Sequence, residues 1–126
     1  MIEHINHASA PLPRGHYSQA VKANGFVFVS GQLPLLPGDD LTIPPGLDAQ
    51  VMQVFENIDA VLRASGSSME KLVSVQIFVA DIGNWPRVNE LYARILRNGP
   101  APARTVIPCP TLHYGAELEV NAVAVT

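Results

Sequence analysis

Residues 18–31 read SQAVKANGFVFVSG, and they frame the reading of the whole chain. Asn24-Gly25 readily takes the positive φ values of a type I′ turn, so SQAVKA and FVFVSG read as the two strands of a hairpin. Side chains alternate across a strand, which sets Phe26, Phe28 and Ser30 on one face and Val27, Val29 and Gly31 on the other. Both faces are apolar, so a sheet built on this hairpin has two sides to cover.

Before this hairpin, residues 1–6 suit a short strand, followed by the Pro/Gly-rich approach ASAPLPRGHYSQ. Residues 33–46 carry four prolines and two glycines and read as a loop. From Leu47 the period changes. Leu47, Val51, Val54, Phe55, Ile58, Val61 and Leu62 recur at steps of three and four, the stripe of an amphipathic helix that Gly66 ends as a C-cap. LVSVQIFVA at 72–80 reads as a strand with Val73, Val75, Ile77 and Val79 on one face. Asn84 is placed to cap a second helix, with Pro86 in its first turn and a stripe of Val88, Leu91, Tyr92, Ile95 and Leu96. A PAPA loop, a strand RTVIP starting near Arg104, a turn and a last strand AELEVNAVAVT complete the chain.

The expected order is βββ-α-β-α-β-β, an α+β fold whose two helices can cover only one face of a mixed sheet. Yet Phe28 opposes Val29, Ile77 opposes Phe78, and Val120 and Ala122 oppose Val123 across their strands. The bare, apolar face needs a partner, so a homo-oligomer with packed sheets is expected. Composition agrees: charged residues are 15% of the chain and apolar ones 48%, lean for a small monomer.

A length of 126 residues suits one domain spanning 1–126. The net charge of −3 and the lack of a Lys/Arg run speak against a nucleic-acid groove. Cys109 is the only cysteine, which excludes an intramolecular disulfide and suits a reducing compartment. No signal peptide and no apolar run near the ~18 residues of a membrane span are visible. A soluble cytoplasmic protein without a membrane partner is expected.

His4, His7, His16 and His113 are the only imidazoles, and His-x-x-His without a third ligand is weak evidence for zinc. Neither GxGxxG nor a P-loop occurs, so neither a metal nor a nucleotide cofactor is expected. Cys109 lies in Pro-Cys-Pro and reads as an inert thiol at a strand end. Arg104 opens an apolar strand, where a buried guanidinium would need a partner, and Glu119, between Leu118 and Val120, poses the same problem with opposite sign. Two readings follow. The two charges lie on the rim or neutralise each other, or Arg104 grips a small anion while Glu119 handles a proton or water.

APLPRGHYSQAV, VFVSGQLP, a helix carrying Gln50 and Asn57, VNELYARI, PARTVI and AELEVNAVAV follow one another over nearly the whole chain. In order and spacing they resemble the Rid family (reactive intermediate deaminases, YjgF-like), and SGQ[IL]P with PAR[ST] at this separation is highly specific. The resemblance implies a chorismate-mutase-like domain with two helices packed on one face. It implies homotrimers with active sites in clefts between subunits, and cofactor-free hydrolysis of 2-imino acids and their enamine tautomers to 2-oxo acids and ammonia. It places the carboxylate-binding arginine at Arg104, the water-activating glutamate at Glu119 and the pocket tyrosine at Tyr17. Ser30, Gly31 and Asn89 match its other substrate-binding positions. Four positions depart from the family pattern: His16 stands for the usual proline of Gly-Pro-Tyr, His113 for that of Leu-Pro, Asn121 for a second acid, and Val106 for a small residue. A small-carboxylate binding protein without turnover, and an endoribonuclease, are the alternative readings.

Overall fold

In the computed structural model, which describes residues 1–38 and 40–126, six strands form one sheet in the order β1-β2-β3-β6-β4-β5. The strands are β1 (Glu3–Ile5), β2 (Ala20–Ala23), β3 (Phe26–Gln32), β4 (Leu72–Val79), β5 (Ala103–Pro108) and β6 (Leu118–Val125). Helices α1 (Leu47–Ala64) and α2 (Trp85–Ile95) supply the crossovers. All neighbours pair antiparallel except β4 and β5, which are parallel. The element order and the α+β class are those expected from the sequence. Asp39, within the expected 33–46 loop, lies outside the described residues.

Local sequence accounts for the joints. Asn24 and Gly25 have φ of 50° and 79°, the left-handed pair of a type I′ turn. Helix α1 ends in a Schellman motif: Gly66 has φ 77°, its N–H donates to the Arg63 carbonyl at 3.1 Å, and the Ser67 N–H donates to Leu62 at 2.9 Å. Both helices pack on one face of the sheet, over Val27, Val29, Val75, Ile77, Val79, Leu118, Val120 and Ala122. The other face is bare. Phe26 and Phe28 are 41% and 48% exposed on it, their ring centroids 6.2 Å apart.

Three local expectations are corrected. The pairing of β3 with β6 shifts between Val29 and Gln32, so Gly31 leaves the Val27/Val29 face and Gln32 is buried in its stead. A second shift between Leu72 and Ser74 turns Val73 outward and buries Leu72 instead. Asn84 does not cap α2 with its side chain. A 3₁₀ turn, Ile82–Asn84, precedes the helix, with Asp81 accepting from the Gly83 N–H at 2.8 Å. The Asn84 amide donates instead to Glu117 Oε2 at 3.1 Å.

Buried polar side chains of α1 tie down the long loop and the chain entering β6. Asn57, 1% exposed, donates to the carbonyls of Leu33 and Leu35 at 3.1 and 2.8 Å, while Gln50 accepts from the Glu117 N–H at 2.8 Å. Asn57→Leu keeps the volume but strands two carbonyls away from water, so it should lower unfolding stability by about 2–4 kcal/mol. Urea unfolding measures this as a drop in midpoint at unchanged slope, and a loss below about 0.5 kcal/mol would contradict the assigned role.

Candidate functional site

The residues singled out by sequence fall into two clusters on opposite sides of the sheet. Arg104 runs alongside Val75 in the parallel β4–β5 ladder and shares its helix-side face. Its guanidinium carbon lies 4.7 Å from the Trp85 ring centroid and 5.0 Å from that of Tyr92, within cation–π range. Nη1 donates to Asn89 Oδ1 at 2.8 Å. Trp85, Asn89 and Tyr92 follow one another at steps of four and three, which brings them onto one side of α2. Arg104 is exposed because β5 is an edge strand, not the buried strand that would have forced it to pair. Among the described residues no carboxylate forms an ion pair with it. Burial pushes the Tyr92 phenol above its ordinary range, opposed by the charge of Arg104, and the hydroxyl finds no hydrogen-bond partner among the described residues.

The second cluster forms where β3 bulges. A Cβ at Gly31 would stand 2.6 Å from Glu119 Oε2, so the absence of a side chain there is what lets the carboxylate lie against the strand. Ser30 Oγ donates to the Ser18 carbonyl at 2.6 Å, tying the bulge to the residue after Tyr17. Tyr17 and Gly31 line a cavity of about 180 Å³ together with Arg14, His113 and Tyr114. Glu119 is half-buried; loss of water around it pushes its carboxyl above the usual range, and nearby His113 pulls the other way. Gln19, 1% exposed, holds the chain leading into this cluster: its amide donates to the carbonyls of His7 and Pro11 at 3.0 and 2.8 Å, and its oxygen accepts from the His7 N–H at 2.7 Å.

Glu119 pairs with Phe78 across β4–β6, one step out of phase with the helix-covered Ile77 and Val79, so it faces the bare side. Arg104 faces the helix side. One chain therefore unites Arg104 with Asn89, and Tyr17, Ser30 and Gly31 with Glu119, but not the two sets with each other. Within one chain Arg104 and Glu119 do not neutralise each other. Of the remaining candidates, His4 and His7 hydrogen-bond through Nδ1 to Ser18 Oγ and Ser9 Oγ at 3.2 and 2.7 Å, and the Cys109 sulfur lies 3.9 Å from the Thr111 carbonyl. Sequence reading misses Trp85, Arg14 and Gln19. The Trp85/Asn89/Tyr92 spacing is an available signal; Gln19 gives none, because its partners are set by chain closure.

The sequence model of the family described as Endoribonuclease L-PSP matches residues 7–126. Reactive Intermediate Deaminase A, chloroplastic, of Arabidopsis thaliana is 35% identical over 97% of this chain and 65% of its own length. A crystal structure of the Rid protein family member YyfA from Yersinia pestis superposes with a TM-score of 0.95 at 35% identity, covering 100% of both chains. Escherichia coli TdcF with bound serine superposes with a TM-score of 0.93 at 28% identity, covering 98% of each. The chain belongs to the Rid (YjgF-like) family. No helix among the described residues is long and apolar enough to cross a membrane.

Because the folded-state pKa of Glu119 is raised, the native state holds that proton more tightly than the unfolded chain does. Its contribution is greatest below the ordinary glutamate range and is lost as pH rises through the folded value. Glu119→Gln should therefore stabilise the protein more at pH 7 than at pH 4, read as the difference in urea midpoint. An equal or reversed difference would contradict the inferred burial of charge.

Proposed function

We propose that the protein hydrolyses 2-imino acids and their enamine tautomers to 2-oxo acids and ammonia, without a cofactor, at sites formed between copies of a homotrimer. The observation that carries this reading is Arg104. It is a guanidinium held by two aromatic rings and Asn89, exposed at an open edge, with no carboxylate paired to it among the described residues. Such a group is preorganised for a planar carboxylate, which it can meet with two parallel hydrogen bonds. The relative named a reactive intermediate deaminase, and the TdcF structure holding serine, an amino acid with the same carboxylate, support the choice of ligand.

Glu119 of a neighbouring copy then faces the imine carbon. It accepts a proton from the attacking water as the C–O bond forms, and returns a proton to nitrogen so that ammonia leaves when the C–N bond breaks. Atoms balance as imine plus water giving ketone plus ammonia. A carboxyl whose pKa is raised by burial holds a proton more readily than an exposed glutamate, which suits the return of that proton to nitrogen. Packing of the bare faces that carry Phe26 and Phe28 would bring edges and faces of different copies together. An endoribonuclease activity is disfavoured by a net charge of −3 and by the lack of a Lys/Arg run that could form a basic groove. The lone Cys109 fits a reducing, cytoplasmic location.

The test is hydrolysis of iminopropanoate and iminobutanoate generated in situ. Wild type should accelerate it, and Arg104→Ala should lower kcat/KM by about two or more orders of magnitude with the fold intact. Arg104→Lys should restore little, since an ammonium is a point charge. Glu119→Gln should lower kcat while leaving carboxylate binding largely in place. Normal turnover by Arg104→Ala, or binding of 2-oxobutanoate without any turnover by wild type, would refute the reading.

A further inference from the structure

The cavity of about 180 Å³ beside Glu119 is lined by two side chains that can carry positive charge, Arg14 and His113, and no step of the proposed hydrolysis uses Arg14. Among the described residues Arg14 forms no ion pair. Among the described residues its one polar contact is a long one, Nη2 to the Gly38 carbonyl at 3.5 Å, which leaves most of the guanidinium fork without a partner there. We propose that this cavity is a side-chain subsite for a second carboxylate, so that the preferred substrates are 2-imino acids with an acidic side chain, the imines of dicarboxylic amino acids. The proposal rests on the deaminase reading above and sharpens its substrate class.

Size, polarity and charge each support it. The volume is enough for a short methylene-carboxylate arm. Leu12, Leu33, Leu35 and Tyr114 form the apolar part of the lining. Such walls keep water from one side of an ion pair and strengthen it relative to one in bulk solvent. Glu119 is not among the residues that line the cavity, so Arg14 is the fixed charge a second carboxylate meets there. The segment that presents His113 is itself unusual. Tyr114 and Gly115 both adopt left-handed backbone, with φ of 61° and 68°, a turn that a non-glycine residue adopts at a cost. A substrate whose side chain is a methyl or ethyl group would leave Arg14 unmet, whereas an acidic side chain gives it a bidentate partner.

The experiment compares kcat/KM for two sets of imines generated in situ by flavin oxidases: those of alanine and 2-aminobutyrate, and those of aspartate and glutamate. Wild type should favour the dicarboxylic set by about tenfold or more, the worth of one charge-assisted contact at a partly open site. Arg14→Met should cut that ratio by about tenfold and act mainly through KM, with the thermal midpoint checked to show that this exposed position leaves the fold unchanged. Equal or better turnover of the monocarboxylic imines by wild type overturns the subsite while leaving the deaminase reading standing. A preference that survives Arg14→Met overturns the assignment to Arg14. Absence of turnover with either set overturns both.

Discussion

The pleat of β6 sets the two faces of the sheet. This strand lies between β3 and β4 and pairs with both, and its burial alternates strictly, with Leu118, Val120, Ala122 and Ala124 under the helices and Glu119, Asn121, Val123 and Val125 on the bare side. A strand paired on both edges cannot rotate a side chain to the other face without losing its register, and slipping by one residue would drive Glu119 and Asn121 into the core. Each fully buried valine or leucine contributes roughly 1.5–3 kcal/mol, so the alternation is strongly enforced. The same rule, carried through β4 to β5, sends Arg104 to the helix side. The placement of the two clusters is thus a consequence of packing: one chain cannot bring this arginine and this glutamate together.

What each cluster has in common is that the polar group is steadied by structure around it. Arg104 leans on Trp85 and Tyr92, both supplied by the α2 crossover between the parallel strands β4 and β5, and Asn89 on the same helix fixes its rotation. A guanidinium so held loses little freedom when a carboxylate arrives, which is how preorganisation turns into affinity. Glu119 owes its place to the absence of a side chain at Gly31 and to the bulge that brings the Gly31 backbone there. Bulges beside functional groups are a common way of re-aiming a strand without breaking the sheet.

Much of this is legible in the sequence because the signals are local. Asn24-Gly25 marks the hairpin, Gly66 the end of α1, and the stripes of α1 and α2 their buried faces; motif order points to the family and to the residues of both clusters. The misreadings have a shared cause. Simple alternation puts Val73 on the Val75 face and Gly31 on the Val27 face, but both lie at register shifts, and a shift depends on how a distant strand pairs. Asn84 reads as a cap, yet its amide is engaged by Glu117, more than thirty residues away. Whether Arg104 is buried or lies on the rim is left open because a sequence does not say which strand lies at an edge. Gln19 reads as ordinary polar chain, though it is among the most buried side chains and gathers residues 7–11 around itself.

Placement of Arg104 and Glu119 on opposite faces of one sheet makes a demand that a subunit-mixing experiment can meet. Arg104→Ala and Glu119→Gln proteins, each inactive alone, are mixed in equal amounts, exchanged through mild denaturation and refolding, and assayed for imine hydrolysis. If every site takes Arg104 from one copy and Glu119 from the next, half the copies supply each intact residue, and about one quarter of the sites in a randomly mixed ring regain both. Recovery of about a quarter of wild-type activity is the predicted result. Hybrids shown by mass to have formed, yet as inactive as either parent, would contradict a site shared between copies.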